Sequence, residues 1–331
     1  MTSTPGPDAM HNADEHAVVV EGLTKRYGDL AAVNGVSFTV RRGEVFAFLG
    51  PNGAGKSTTV EIIETVRRAT AGRVLVLGMD VATRKRDIVP RIGVLPQGFS
   101  SFDRLTVAES LRYYAALFGN AAAADIEGLM AVTSLHEKRD VLFKNLSGGL
   151  QQRLGIAIAL VNDPEVVFLD EPTTGLDPHA RRAVWDVLLG LKRRGKTVFL
   201  TTHYMEEAEL LADTVAIIRK GQLVAVGSPE ALIERHATWL TLTLKAVDQR
   251  TLDALRPFKA DIAPDQSGNA TLRVPDTGAV LEILSGIKGA GLPLPGVDVR
   301  KANLEEVYLS LTGVALREGE ATLTLAHGAA A

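Results

Sequence analysis

Residues Gly50-Pro51-Asn52-Gly53-Ala54-Gly55-Lys56-Ser57 constrain this chain more than any other stretch. They fit the spacing G-x-x-x-x-G-K-[ST], and they stand between a strand-like apolar run, Val45–Leu49, and a helical pattern. Glycines let successive backbone N–H groups curl around the β- and γ-phosphates of a nucleotide, and the following helix turns its positive end toward them. Lys56 neutralises phosphate charge, and the Ser57 hydroxyl is a ligand for Mg²⁺. Chance alone matches the four fixed positions in about one chain in a hundred, before the strand and helix are required.

The rest of the chain supplies the framework that such a loop needs. Strand-like runs rich in β-branched and aromatic residues recur at Ala17–Val20, Val36–Val40, Val45–Leu49, Arg73–Leu77, Ile92–Leu95, Val166–Asp170, Thr197–Thr201, Thr214–Arg219 and Leu223–Val226, with helical patterns between many of them. This predicts an α/β fold with a largely parallel sheet and a small antiparallel portion near residues 17–42. Residues 98–164 read as helical throughout, a subdomain inserted between two strands. Ser228-Pro229-Glu230 opens one more helix, and the character then changes: strands at 238–244, 270–274 and 297–301 alternate with helices near 249–256, 278–287 and 303–312. The expected division is therefore a disordered segment 1–16, a main domain 17–236, an accessory α+β domain 237–317 and a flexible alanine-rich tail 318–331.

Composition narrows the function. Thirty-six basic residues against 39 acidic ones give a net charge of −3, so there is no general attraction to nucleic acid or anionic lipid. With no cysteine there is no disulfide, thiolate zinc site or cysteine nucleophile. Residues 1–16 lack the basic start and apolar core of a secretion signal, which predicts a chain that stays in the cytoplasm. The apolar runs fall short of the ~20 residues needed to cross a bilayer.

Two acids follow the apolar run Val166–Leu169. At the C-terminal edge of a buried parallel strand, Asp170 would hold Mg²⁺, directly or through water, and Glu171 would accept a proton from an attacking water. A strand ending in an acid is common by itself; its pairing with the phosphate loop makes it informative. A third segment, Leu146-Ser147-Gly148-Gly149-Leu150-Gln151-Gln152-Arg153, reads as a helix start with Ser147 as N-cap, glycines that permit close backbone approach, and a dipole that favours an anion. Alone it could be only a capped helix.

Taken together, these segments resemble the ABC ATPase family, and the resemblance runs through residues 17–235 without a gap. It implies a P-loop NTPase fold with a RecA-like core, an antiparallel β subdomain and an inserted helical subdomain, binding ATP with Mg²⁺ through Gly50 to Thr58. Tyr27 matches the aromatic that stacks on adenine. Gln97, ending Ile92-Gly-Val-Leu-Pro-Gln, matches the glutamine that reaches Mg²⁺ and water. His203 matches the histidine that contacts the γ-phosphate, and Asp177, in Gly175-Leu-Asp-Pro, belongs to the segment that crosses a dimer interface. Ser147, Gly148, Gly149 and Gln151 match the signature that binds ATP held by the opposite subunit. The family resemblance further implies a homodimer, peripheral on the cytoplasmic face of the membrane, driving a separate multi-span permease, with no nucleic-acid partner.

Within the family, Val94-Leu-Pro-Gln-Gly-Phe, Leu105-Thr-Val-Ala-Glu-Ser-Leu and Asn303-Leu-Glu-Glu-Val-Tyr-Leu-Ser-Leu-Thr-Gly are similar to the daunorubicin-resistance type of efflux ATPase, which implies export of a drug-like or hydrophobic compound. The alternative is a soluble ATP-gated machine. Fewer than about 100 residues separate the phosphate loop from the signature, with no sustained heptads for a clamp's coiled coil. A single cassette disfavours a translation factor, and a cluster-assembly scaffold would not ordinarily carry the domain after residue 237.

Overall fold

The computed structural model describes residues 15–119, 124–258, 265 and 267–313. The expectations for residues 1–14 and for the tail 318–331 lie outside that range. The described chain divides into two units at Pro229–Glu230 rather than at 236/237.

In the first unit, β1 (His16–Tyr27) and β2 (Leu30–Arg41) pair antiparallel, and β3 (Val45–Leu49) leaves them for a second sheet. Both hairpin strands outrun the apolar runs that announce them, because backbone pairing continues through register shifts between Val20 and Arg26. Helix α1 (Lys56–Ile63) follows the glycine-rich loop; β4 (Ala71–Val76) and the two-residue β5 (Met79–Asp80) return to the first sheet, whose order is β2-β1-β4-β5. A single turn, α2 (Lys85–Ile88), leads to β6 (Ile92–Leu95). Helices α3 (Val107–Leu117), α4 (Ile126–Val132) and α5 (Gly148–Ala159) then precede β7 (Val166–Asp170), α6 (Pro178–Arg193), β8 (Thr197–Thr202), α7 (Met205–Leu211), β9 (Thr214–Arg219) and β10 (Gln222–Gly227). The second sheet has the order β10-β9-β3-β8-β7-β6, parallel except where β10 turns back on β9.

Period-two alternation sorts the central strands between two cores. Phe46, Phe48, Phe168 and Phe199 point to one face, where Phe46, Phe48 and Phe199 meet Phe38 of β2 and Phe168 meets Phe199, with the Phe38–Phe46 rings stacked at 5.1 Å. Val45, Val167, Leu169, Val198 and Leu200 point to the other, where Ile156, Val184 and Leu188 of α5 and α6 cover them. Burial on both faces explains why these strands read as unbroken apolar runs. It also aims the C-terminal ends of β3, β7 and β8 at one edge, where the polar residues gather.

The inserted region has its own core, built from Val107, Leu111, Met130, Phe143, Leu154 and Ile158. It is less uniformly helical than its pattern suggests: two 3₁₀ turns and an antiparallel bridge between Thr106 and Leu142 interrupt it. The capping box of Thr106 and Glu109 fixes where α3 begins.

The second unit starts with α8 (Pro229–His236), then β11 (Leu240–Lys245), α9 (Gln249–Leu255), β12 (Ala270–Val274), α10 (Thr277–Gly289), β13 (Gly296–Lys301) and α11 (Leu304–Thr312). Its three strands are antiparallel in the order β12-β11-β13. Side chains of Asp248, Asp276 and Asn303 cap α9, α10 and α11, each satisfying one of the amides that a helix start leaves open.

Candidate nucleotide site

The loop from Gly50 to Gly55 links β3 to α1 and needs glycine where the chain turns into the helix. Gly55 has φ +104, and a Cβ there would run into the carbonyl oxygen of Ala32. Ala54 donates its N–H to the Pro51 carbonyl at 3.1 Å, while Asn52, Gly53 and Ser57 are exposed and Pro51 and Thr58 half-buried. The buried Lys56 ammonium curls back onto its own loop, donating to the carbonyl oxygens of Gly50 at 2.6 Å and Pro51 at 3.3 Å. Burial lowers its pKa, and the charges of Glu171 and Asp170 oppose that shift. An amine held by neutral carbonyls at the loop's mouth is placed to exchange them for phosphate oxygens.

Across the sheet edge, Asp170 ends β7 and accepts a hydrogen bond from Thr201 Oγ1 on β8. Burial raises its pKa, with the Thr201 bond acting against that. Glu171 follows with φ +48, a left-handed conformation unusual for a residue with a side chain. Its N–H donates to the Thr201 carbonyl at 3.1 Å and to Thr201 Oγ1 at 3.0 Å, which holds the turn. One carboxylate oxygen, Oε2, collects the partners: Gln97 Nε2 at 3.2 Å, Thr174 Oγ1 at 3.0 Å and His203 Nδ1 at 3.4 Å. His203 is the largest influence lowering the Glu171 pKa. The geometry thus joins Gln97, Asp170, Glu171 and His203, drawn from the ends of three strands, at one place.

These groups suit Mg²⁺ and would suit a softer metal poorly. Ser57, Asp170 and Gln97 offer hard oxygens, and no group of three His, Cys, Asp or Glu residues able to hold a metal occurs among the described residues. Few protein ligands and several waters or phosphates are what Mg²⁺ sites generally use, so Ser57, Asp170 and Gln97 would suffice as the protein's share. Tyr27, near the end of β1, is 42% exposed, with Lys25 Nζ and the Arg67 guanidinium 5.2 and 5.5 Å from its ring. A partly exposed aromatic ring with two cations over it can stack on a base where they yield a face.

A second set stands apart. Among the described residues no hydrogen bond or ion pair joins Ser147, Gly148, Gly149, Gln151 or Asp177 to residues 50–58. Ser147 is the N-cap of α5 by backbone conformation, yet its side chain caps nothing, contrary to the reading of it as a capping hydroxyl. The helix's first amides therefore lack that partner. The two glycines also differ: Gly148 is exposed, whereas a Cβ on Gly149 would lie 2.7 Å from the Ala180 Cβ of α6. Gly149 thus serves helix packing within the chain. Gln151 donates to the Phe143 carbonyl at 3.3 Å, and Asp177 caps α6, accepting from the amides of His179 and Ala180 at 2.9 Å each.

Sequence reasoning missed Glu207. Fully buried on α7, it accepts hydrogen bonds from Thr173 Oγ1 and Trp185 Nε1, both at 2.9 Å, and burial raises its pKa. It ties the turn after Glu171 to the helix that follows His203. The available signal was an acid lying among Met205, Ala208 and Leu211 on an apolar helical face.

The chain matches the model of the ABC transporter family over residues 33–174. It is 41% identical over 313 residues to a Nod factor export ATP-binding protein I of Mesorhizobium japonicum, covering 93% of this chain and 90% of that protein. The protein of the same name from Burkholderia lata is 42% identical over 297 residues, covering 88% and 95%. Among solved structures, cbiO1 from Clostridium perfringens, part of the cbiONQ ABC transporter complex, aligns with a TM-score of 0.59 at 26% identity, covering 66% of this chain and 91% of that one.

Proposed function

Because the chain belongs to the family of ABC transporter ATP-binding subunits, we propose that this ATPase works as a homodimer at the cytoplasmic face of the membrane, where it powers export of a drug-like or hydrophobic compound through a separate multi-span permease. The curated relatives are named for export, and no helix among the described residues is long and apolar enough to cross a membrane, so a path for the compound would come from another chain.

The observation that carries the reading is the convergence of Gln97, Thr174 and His203 on one oxygen of Glu171. With Oε2 so engaged, the carboxylate is fixed in place, and Glu171 takes the proton of the attacking water. Lys56 and the amides of residues 50–58 bind the phosphates, and Tyr27 stacks on adenine. Ser57, Gln97 and Asp170 hold Mg²⁺, which supplies charge neutralisation at the β- and γ-phosphates. His203 orients the γ-phosphate end. Ser147 and Gly148 share no hydrogen bond with the phosphate loop among the described residues and are assigned to ATP held by the second copy, with Asp177 at the interface between copies. ATP binding then closes the dimer and hydrolysis releases it.

A short path leads from the chemistry to the inserted region. Gln97 lies two residues before Phe99, whose ring meets Phe143 edge-on at 6.1 Å in the inserted core. A shift of Gln97 during turnover would pass through Phe99 into the inserted region, where we place the contact with the permease. Affinity purification of tagged full-length chain from detergent-solubilised cells, with and without Glu171→Gln, tests the whole reading. A stoichiometric multi-span protein in the eluate supports transport; recovery of soluble proteins alone overturns it in favour of an assembly scaffold.

A further inference from the structure

In the accessory unit the two outer strands are treated differently. Leu242 and Leu244 of β11 and Ala270, Leu272 and Val274 of β12 pack beneath Leu255 of α9 and Val280, Ile283 and Ile287 of α10. No β13 residue joins that core. Val297 and Val299 stand directly opposite Leu244 and Leu242 in the ladder, so they share the core-side face; they are nonetheless 41% and 42% exposed. All six residues of β13 are exposed, and within the described sheet its outer edge carries no further strand. The opposite face of the same strand holds Asp298 and Arg300. Arg300 lies 3.4 Å from Glu306 of α11, while Asp298 has no ion pair among the described residues.

Charges on an edge strand ordinarily discourage pairing. Here their order does the reverse for one partner. Two copies of Gly296-Val-Asp-Val-Arg-Lys301 related by a two-fold axis normal to the sheet run antiparallel, and residues directly opposite must share a face. The register is therefore centred on a residue. Centring on Asp298 opposes two carboxylates, and centring on Arg300 opposes two guanidiniums. Centring on Val299 places each Asp298 opposite Arg300 of the second copy, brings the two Val299 side chains together, and lays the Lys301 stem against Val297.

We propose that the β13 edge is a self-association surface: a second copy of this chain adds its own β13 antiparallel in the Val299-centred register, joining two three-stranded sheets into one of six strands. The second copy is the one the homodimer reading supplies, and in that sense the proposal rests on it. The accessory unit then acts as a clasp that keeps two ATPase subunits together independently of nucleotide.

The chain contains no cysteine, so a single introduced thiol reports one contact. Val299→Cys meets its own copy at the Cβ separation of about 4.5–5.5 Å expected for opposed residues, and a mild oxidant or a short bismaleimide links it. The full-length variant is examined without nucleotide, and again with ATP and Mg²⁺ in the Glu171→Gln background while its size is followed by light scattering. Thr271→Cys, exposed on the opposite edge strand, is the control. The expected result is a covalent dimer of Val299→Cys in both conditions, none for Thr271→Cys, and loss of the dimer when Asp298→Lys is added, with an unchanged melt. An ATP-dependent dimer that does not cross-link at Val299 overturns the clasp and leaves the homodimer reading standing. With the clasp removed by Asp298→Lys in the Glu171→Gln background, light scattering reads the ATP-dependent dimer alone; its absence there overturns the homodimer reading, while cross-linking at Val299→Cys still supports the clasp. A chain that neither dimerises nor cross-links overturns both readings, and cross-linking that survives Asp298→Lys overturns the Val299-centred register.

Discussion

His203 Nδ1 lies 3.4 Å from Glu171 Oε2, joining the residues that follow two neighbouring parallel strands. The contact does more to the carboxyl than burial does: it leads the influences that keep the Glu171 pKa below its ordinary value despite a half-buried position. A residue in a left-handed backbone turn, held on both amide and carboxylate, has little freedom left. That rigidity is what a base facing a phosphate requires.

Glu171→Gln is therefore expected to preserve ATP binding and lower kcat by about 10²–10⁴-fold, the usual contribution of a general base. Phosphate release and nucleotide titration measure the two separately. Turnover at the wild-type rate would remove Glu171 from the role of base.

The two signature glycines should separate function from stability. Gly149→Ala forces a methyl group against Ala180 and is expected to cost about 1–3 kcal/mol of stability, as overpacking does. Gly148→Ala meets nothing closer than Leu176 Cδ2 at 3.6 Å, so its melt should match wild type or exceed it while ATPase activity falls. Equal effects of the two substitutions on thermal denaturation would refute the distinction.

Much of this site was legible because its chemistry is local in sequence. The loop at 50–57 and the acids at 170–171 each carry their meaning in adjacent residues, and the unbroken apolar runs Val45–Leu49 and Val166–Leu169 announce strands buried on both faces. What was not legible depends on distant partners. That Gly149 packs on Ala180 of α6 rather than lying open is a fact about which elements approach one another. The 3₁₀ turns of the inserted region were hidden for another reason: short turns lack the length over which helical periodicity becomes distinct.

Tyr27 presents a partly exposed ring with the Lys25 and Arg67 cations over it. Tyr27→Ala should weaken ATP and GTP alike by about two- to thirteenfold, since stacking of roughly 0.5–1.5 kcal/mol ignores base identity, and Tyr27→Phe should bind as wild type does. A fluorescent-nucleotide titration in which only ATP is affected would point to a polar contact with the base instead.

Glu64, at the end of α1, has its pKa raised to about 8 by burial, reinforced by the charges of Asp170 and Glu61. A raised carboxyl pKa means that the folded protein keeps a proton the unfolded chain has released. Its stabilising share is therefore full below the ordinary value of 4.5 and is lost as pH rises through about 8. Glu64→Gln, which mimics the neutral acid, should flatten the decline in stability between these limits, on the order of a few kcal/mol. Urea melts of chelator-treated, nucleotide-free protein decide it; parallel curves for both proteins would mean Glu64 ionises freely.

Glu207 provides the last test, because it touches no reacting group and yet is bonded to the turn that follows Glu171 and stands on the helix that follows His203. Its carboxylate accepts from Thr173 Oγ1, two residues past Glu171, and from Trp185 Nε1 of α6, while its own helix begins two residues after His203. Removing the acceptor by Glu207→Ala leaves two buried donors unpaired, at about 1–3 kcal/mol each. Glu207→Gln keeps one carbonyl acceptor and should recover much of that stability. If Glu207 only held the core together, kcat at a temperature well below both melts would be untouched by either change. If it positions the turn carrying Glu171 against His203, kcat falls in Glu207→Ala with KM for ATP nearly constant, since Lys56 and the phosphate loop are not involved, and Glu207→Gln restores part of it. A loss confined to KM would place the effect on nucleotide binding and contradict the positioning role.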